Sequence, residues 1–148
     1  MKTKNLQITV GFVFLFLLFA GHIQAAEWVF CESNHSGHLY YDKSSIMKVR
    51  DIAQVRTMAI LNDDGKANLN NALKKIGKAS RNADMVSYSI SSEEFDCRNR
   101  KLKISSMTIY NEKGGAIHSL DVKNDDWDNI IPETNGDILG KIVCSGSK

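Results

Sequence analysis

Hydrophobic residues fall along this chain in three rhythms, and each predicts a different kind of element. The first rhythm is a solid block. Ile8 to Ala20 is uncharged and mostly apolar, with Lys2 and Lys4 ahead of it and a polar break at Gly21-His22 behind it. A charged start, an apolar run and the small residues Ala25-Ala26 make the layout of a secretory signal peptide. The run is too short for a membrane-spanning helix, which needs roughly 20 apolar residues. Residues 1–25 are therefore expected to be a signal peptide, with cleavage after Ala25 or Ala26, and residues 26–148 a single exported domain.

The second rhythm is alternation, the mark of half-buried strands. Trp28-Val29-Phe30-Cys31 opens a strand, and Asn34 to His38 has the composition of a turn. Leu39-Tyr40-Tyr41 comes next, closed by Asp42-Lys43-Ser44-Ser45. Ile52 to Leu61 is rich in β-branched and apolar residues and stops at Asn62-Asp63-Asp64-Gly65. Val86, Tyr88 and Ile90 alternate with Ser87 and Ser89, but Phe95 and Cys97 continue on the other parity. A bulge near Ser91–Glu94 would restore the facing. Arg98-Asn99-Arg100 reads as a turn, Leu102 to Tyr110 as a strand, Asn111 to Gly115 as a tight turn and Ala116 to Val122 as the next strand.

The third rhythm is helical. Leu69, Ala72, Leu73 and Ile76 stand at i, i+3, i+4 and i+7, which predicts a helix over Lys66–Ile76 ended by Gly77. Lys78 to Asp84 is polar and reads as a loop. Asp125-Asp126-Trp127-Asp128 has the acids of a helix start, favoured by the dipole, and Pro132 cuts that short helical segment off. Thr134 to Cys144 can hold a last helix with Ile138, Leu139, Ile142 and Val143 on one face. The sum is an α+β fold: an antiparallel sheet of about six strands with one or two helices packed on one face.

Composition narrows the function more than the fold. Removing the leader takes two of the 19 basic residues and none of the 17 acidic ones, leaving 17 against 17. That balance gives no reason to expect a nucleic-acid or anionic-membrane partner. No second apolar stretch is long enough to be a transmembrane anchor. The three cysteines, Cys31, Cys97 and Cys144, all lie beyond the leader. In an oxidising compartment two of them pair and one is left over, free or available to a second chain. Bulky Trp28-Val29-Phe30 ahead of Cys31 is not the small-residue context of a lipid-modified cysteine.

Candidate chemistry is sparse. Cys31, His35 and His38 form C-x3-H-x2-H with Asp42 as a fourth donor, residue types that zinc and copper accept. The spacing matches no standard site, so they are read as turn histidines beside a spare thiol, and neither a metal nor a cofactor is assigned. Arg98, Arg100, Lys101 and Lys103 make a basic turn, the candidate partner contact, against the plainer reading of a solvated hairpin tip. Lys66, Lys74, Lys75, Lys78 and Arg81 give the first helix a basic side. There is no G-x-S-x-G, no H-E-x-x-H and no phosphate loop, so no enzyme is expected.

Taken in order, Trp28, Tyr41-Asp42 with Ser45-Ile46, Phe95-Asp96-Cys97 with basic residues behind it, Tyr110 ahead of Gly114-Gly115, Trp127-x-x-Ile130-x-Pro132 and Val143-Cys144 resemble the surface-adhesin E family of Gram-negative bacteria. The match runs from about Glu27 to Cys144. The resemblance implies a helix held against an antiparallel sheet by a disulfide, here Cys97–Cys144, with Cys31 the leftover thiol and a route to a covalent homodimer. It implies a non-enzymatic binding protein exported to the periplasm or cell surface, with host matrix proteins among its partners. The alternative from a different class is a periplasmic small-ligand or metal-binding protein.

Overall fold

The computed structural model describes residues 25–77, 86–122 and 126–145. The expected leader, apart from Ala25, lies outside the described residues, as do the Lys78–Asp84 loop and Asp125. Six antiparallel strands neighbour one another in space in the order they have in sequence: β1 (Trp28–Asn34), β2 (Gly37–Val49), β3 (Ile52–Leu61), β4 (Val86–Asp96), β5 (Lys101–Asn111) and β6 (Ala116–Asp121). A two-residue strand, β7 (Asp128–Asn129), pairs with Lys101 and Leu102 of β5. Helix α1 (Asp63–Lys75) is inserted between β3 and β4, and helix α2 (Asn135–Ser145) ends the described chain. The expected α+β class therefore holds.

Both helices sit on one face of the sheet. Under α2, Leu139 and Val143 meet Ala53, Val55 and Phe95, all buried, with Cys31, Tyr41, Leu102 and the two cystine halves packed around them. Under α1, Leu73 meets Val86 and Ile109, flanked by Leu61, Leu69, Met107 and Ile117. Between the two clusters the same face is polar: Thr57, Ser89 and Ser91 are buried there. Asn135 meets Asn34 of the β1–β2 hairpin at 3.3 Å, while Asp137 holds Arg100, beyond β4, at 2.8 Å. The sheet thus curls around α2 instead of lying flat beneath it.

Several local expectations shift. Asp42 to Ser45 do not close β2. Asp42 accepts hydrogen bonds from Ser44 N (3.0 Å), Ser44 Oγ (2.6 Å) and Glu27 N (2.9 Å), and the strand swells into a bulge before pairing again at Met47↔Gln54. The acidic stretch after β3 is not a stop but a cap. Asn62 Oδ1 accepts from Gly65 N at 2.9 Å, so α1 begins at Asp63, a turn earlier than the apolar spacing suggests. Gly65 allows that first turn to sit on the β1–β2 turn, since a Cβ there would fall 2.1 Å from the Ser36 carbonyl oxygen. Of the expected helical face, Leu69 and Leu73 pack on the sheet, whereas Ala72 is exposed and Ile76 lies beyond the helix end.

In β4 the register does shift between Ser92 and Glu93, but there the extra residue is Ser105 of β5. The extra residue of β4 itself is Ser87, so Val86 faces the helices while Tyr88 and Ile90 face away. Apolar alternation hid this, because both faces of β4 carry apolar side chains. The expected helical turn at Asp126–Asp128 is instead extended, as Asp128-Asn129 takes up ladder pairing with β5. The last helix begins at Asn135 and buries Leu139 and Val143, as its pattern predicts.

Candidate binding surface

The sheet face opposite the helices carries no second layer among the described residues. Strand alternation and register place two rows of side chains across it. One row runs Phe30, Tyr40, Met58, Ile90; the next runs His38, Ile60, Tyr88, Tyr110. The rings interlock: Phe30 meets Tyr40 edge-on with centroids 5.6 Å apart, and Tyr88 stacks on Tyr110 at 4.8 Å and 7°. Such pairs add about 0.5–1.5 kcal/mol beyond area burial and hold the rings in fixed poses. Phe30 is nonetheless 53% exposed and Ile60 38%. One step further along the strands the face turns polar at Arg56 and Ser92.

Three buried carboxyls are tied to the scaffold, one beside this surface and two on the helix side. Asp42 is fully buried beside the edge strand. Burial works to raise its pKa, but the Ser44 and Arg56 hydrogen bonds and the Glu27 N–H outweigh it and hold the carboxyl below its usual range. Arg56, half-exposed, forms an ion pair with it. Asp137, on α2, takes hydrogen bonds from Lys141 Nζ and Arg100 at 2.8 Å each and from Glu133 N at 3.2 Å, which lower its pKa to about 2. On the helix side, burial pushes the Glu93 carboxyl up, opposed by the Thr57 hydroxyl at 2.7 Å.

The residues singled out from sequence are dispersed. Cys31 is the bulge residue of β1 and packs into the core on the helix side. His38 lies on the other face beside Phe30, its Nδ1 paired with Ser33 Oγ at 2.7 Å, and His35 is exposed in the hairpin turn. Asp42 is committed to Arg56. Among the described residues no three His, Cys, Asp or Glu side chains are grouped to hold a metal. Burial, then Glu32 and Glu93, raise the Cys31 pKa and keep it a thiol.

The basic turn is largely a piece of scaffold. Asp96 accepts from Arg98 N (3.1 Å), Asn99 N (2.9 Å) and Asn99 Nδ2 (2.7 Å), closing the hairpin. Arg100 is held by Asp137, and Lys103 pairs with Glu94 at 3.4 Å beneath the Trp127 ring. Lys101 stands opposite Asp96, while Arg98 reaches Asp51 only at 3.9 Å. Cys97 and Cys144 form the disulfide that joins α2 to the sheet. Sequence reading missed the aromatic rows. Their one signal was that Tyr40 and Tyr110 lie on strands whose other parity is also apolar.

These features define a class: a disulfide-tied α+β domain in which one face of a six-stranded meander is braced by helices and the other, among the described residues, is bare. The chain belongs to the surface-adhesin protein E family, whose model matches residues 28–145. Two solved structures of Haemophilus influenzae protein E are similar in fold. Crystal form II superposes with a TM-score of 0.51 at 13% identity, covering 84% of this chain and 92% of that one. The other gives 0.52 at 13% identity over 84% of this chain and 89% of that one. At that identity the likeness speaks for the fold. Comparison with curated proteins yields no match. No helix among the described residues is long and apolar enough to cross a membrane.

Proposed function

We propose that this protein is an exported, non-enzymatic adhesin of a Gram-negative envelope that binds a protein partner through the bare face of its sheet. The observation that carries this reading is the two packed ring pairs on the uncovered face, Phe30–Tyr40 and Tyr88–Tyr110, with Phe30 and Ile60 exposed and the three tyrosines half-buried. Aromatic side chains already fixed by their neighbours lose little freedom on binding, which is why such residues dominate binding hot spots. Family membership supports the adhesive role, with host matrix proteins as the partner class. Arg98 and Lys101 lie at the other end of β4 and β5 from the aromatic rows and act by steering, since charge tunes association rate more than affinity.

Two experiments test this. Protease shaving of intact cells should cleave the protein. Recovery only from a periplasmic extract would remove adhesion as the function. Purified protein should bind immobilised extracellular-matrix proteins, and Phe30→Ser with Tyr88→Ser should abolish binding while the fold survives by circular dichroism. A covalent homodimer through Cys31 requires its thiol to leave the core packing. A non-reducing gel showing monomer alone disposes of that dimer without touching the main reading.

A further inference from the structure

We infer that the polar half of the bare face is a binding site for a neutral saccharide. The β2 bulge at Ser44–Met47 and the β5 bulge at Ser105 stand on either side of β3 and β4. They leave a trough of about 460 Å³ floored by Gln54, Arg56, Ser92 and Glu94. That volume lies in the range of small-molecule pockets, roughly 300–1,000 Å³.

The chemistry of the trough selects the ligand class. Of the charged residues around it, Arg56 is paired with buried Asp42 and Glu94 with Lys103 at 3.4 Å, while Glu93 turns its carboxyl away to the Thr57 hydroxyl on the helix side. Neither an anion nor a cation finds an uncompensated opposite charge. Three of the four serine hydroxyls are spoken for as donors: Ser44 Oγ to Asp42 Oδ1 at 2.6 Å, Ser45 Oγ to the Asp42 carbonyl at 2.7 Å and Ser105 Oγ to the Ser92 carbonyl at 3.1 Å. A hydroxyl that has given its hydrogen keeps lone pairs to accept with. The Gln54 amide offers a donor and an acceptor, Glu94 accepts, and the guanidinium of Arg56 donates. A carboxylate or phosphate only accepts and an ammonium only donates, so each satisfies half of such a lining. A sugar hydroxyl does both. Met47, 61% exposed on one wall, gives an apolar surface for the C–H face of a sugar ring.

The inference does not depend on the adhesin reading, because the trough and the aromatic rows are separate parts of one face. Saturation-transfer NMR on the purified protein, with lactose and N,N′-diacetylchitobiose as probes and a sulfated disaccharide as the anionic control, tests it. The neutral disaccharides are expected to receive saturation and the sulfated one not. Gln54→Ala and Ser92→Ala, neither of which touches an ion pair, should each weaken binding about fivefold, the worth of one neutral hydrogen bond. Their melting temperatures should stay at the parent value. The inference is overturned if neither neutral sugar receives saturation, if the sulfated probe binds better, or if both variants bind like the parent.

Discussion

The two helices share one face of one sheet, yet they are held there in unlike ways. Helix α2 is fixed by a disulfide at its last turn, by Lys48 Nζ on the Cys144 carbonyl at 2.9 Å, and by Arg100 on buried Asp137 at its first turn, where Lys141 of the helix itself adds an i,i+4 ion pair. Beneath it lies the larger cluster, with Phe95 fully buried. Helix α1 has a capping asparagine, two leucines and charges that suit its dipole, Asp63 and Asp64 at the start and Lys74 and Lys75 at the end. The contrast teaches that the α2 end of the molecule is over-determined, whereas α1 depends on a few small terms, each worth about 1–3 kcal/mol.

Replacing Cys97 and Cys144 together by Ser should cost most. The disulfide closes a 47-residue separation, for which chain entropy gives about 4 kcal/mol. Urea unfolding of the double variant is expected to show this loss, while the aromatic face keeps its near-ultraviolet signal at low denaturant. Loss of that signal with the disulfide would mean that the bare face also depends on α2, breaking the comparison. Leu73→Ala should cost about 2–3 kcal/mol by the same measurement, at the low end for a buried leucine because its cluster is small. Asn62→Ala removes one cap and should cost about 1 kcal/mol. Amide exchange should show that loss confined to α1 if the two regions open separately.

The smallest effects are in pH, and their signs differ. Asp137 has a folded pKa of about 2 against an ordinary 3.8, so its contribution is complete above the ordinary value and fades as pH falls toward 2. Glu93 is raised above its ordinary 4.5. The folded state then holds a proton that the unfolded chain has released, and stability falls as pH rises through that window. Glu93→Gln should therefore raise the melting temperature at pH 7 and flatten its pH dependence above 4.5. Asp137→Asn should lower the melting temperature at pH 7 and leave it unchanged near pH 2. A Glu93→Gln variant that melts lower at pH 7 would show that the carboxylate is stabilised by something other than Thr57.

Most of the sheet was legible because alternation and turn residues agree. Ile52–Leu61 is an uninterrupted apolar-rich run with clear stops and appears at those bounds. The terminal helix was legible because Leu139 and Val143 repeat at one turn. The β2 bulge was not, because it depends on Asp42 collecting Glu27 and Arg56, which lie 15 and 14 residues away. The start of α1 was misread because Asn62-Asp63-Asp64-Gly65 serves equally as a turn or as a cap with a first helical turn. The bare face escaped for a related reason. Composition shows that a strand has two apolar sides, but only the packing of both helices on one side reveals which is left uncovered.

The meander order has a consequence for how the correct thiols find each other. A chain that appears from its N-terminus presents Cys31 and Cys97 well before Cys144, so the first pairing on offer is a wrong one. Strands β2 and β3 stand between β1 and β4, so Cys31 and Cys97 are three strand spacings apart along the sheet, whereas a disulfide needs Cα atoms within about 7 Å. Once four neighbouring strands have zipped together, the sheet itself acts as a proofreader: it holds the early thiol away and keeps Cys97 available for the last turn of the chain.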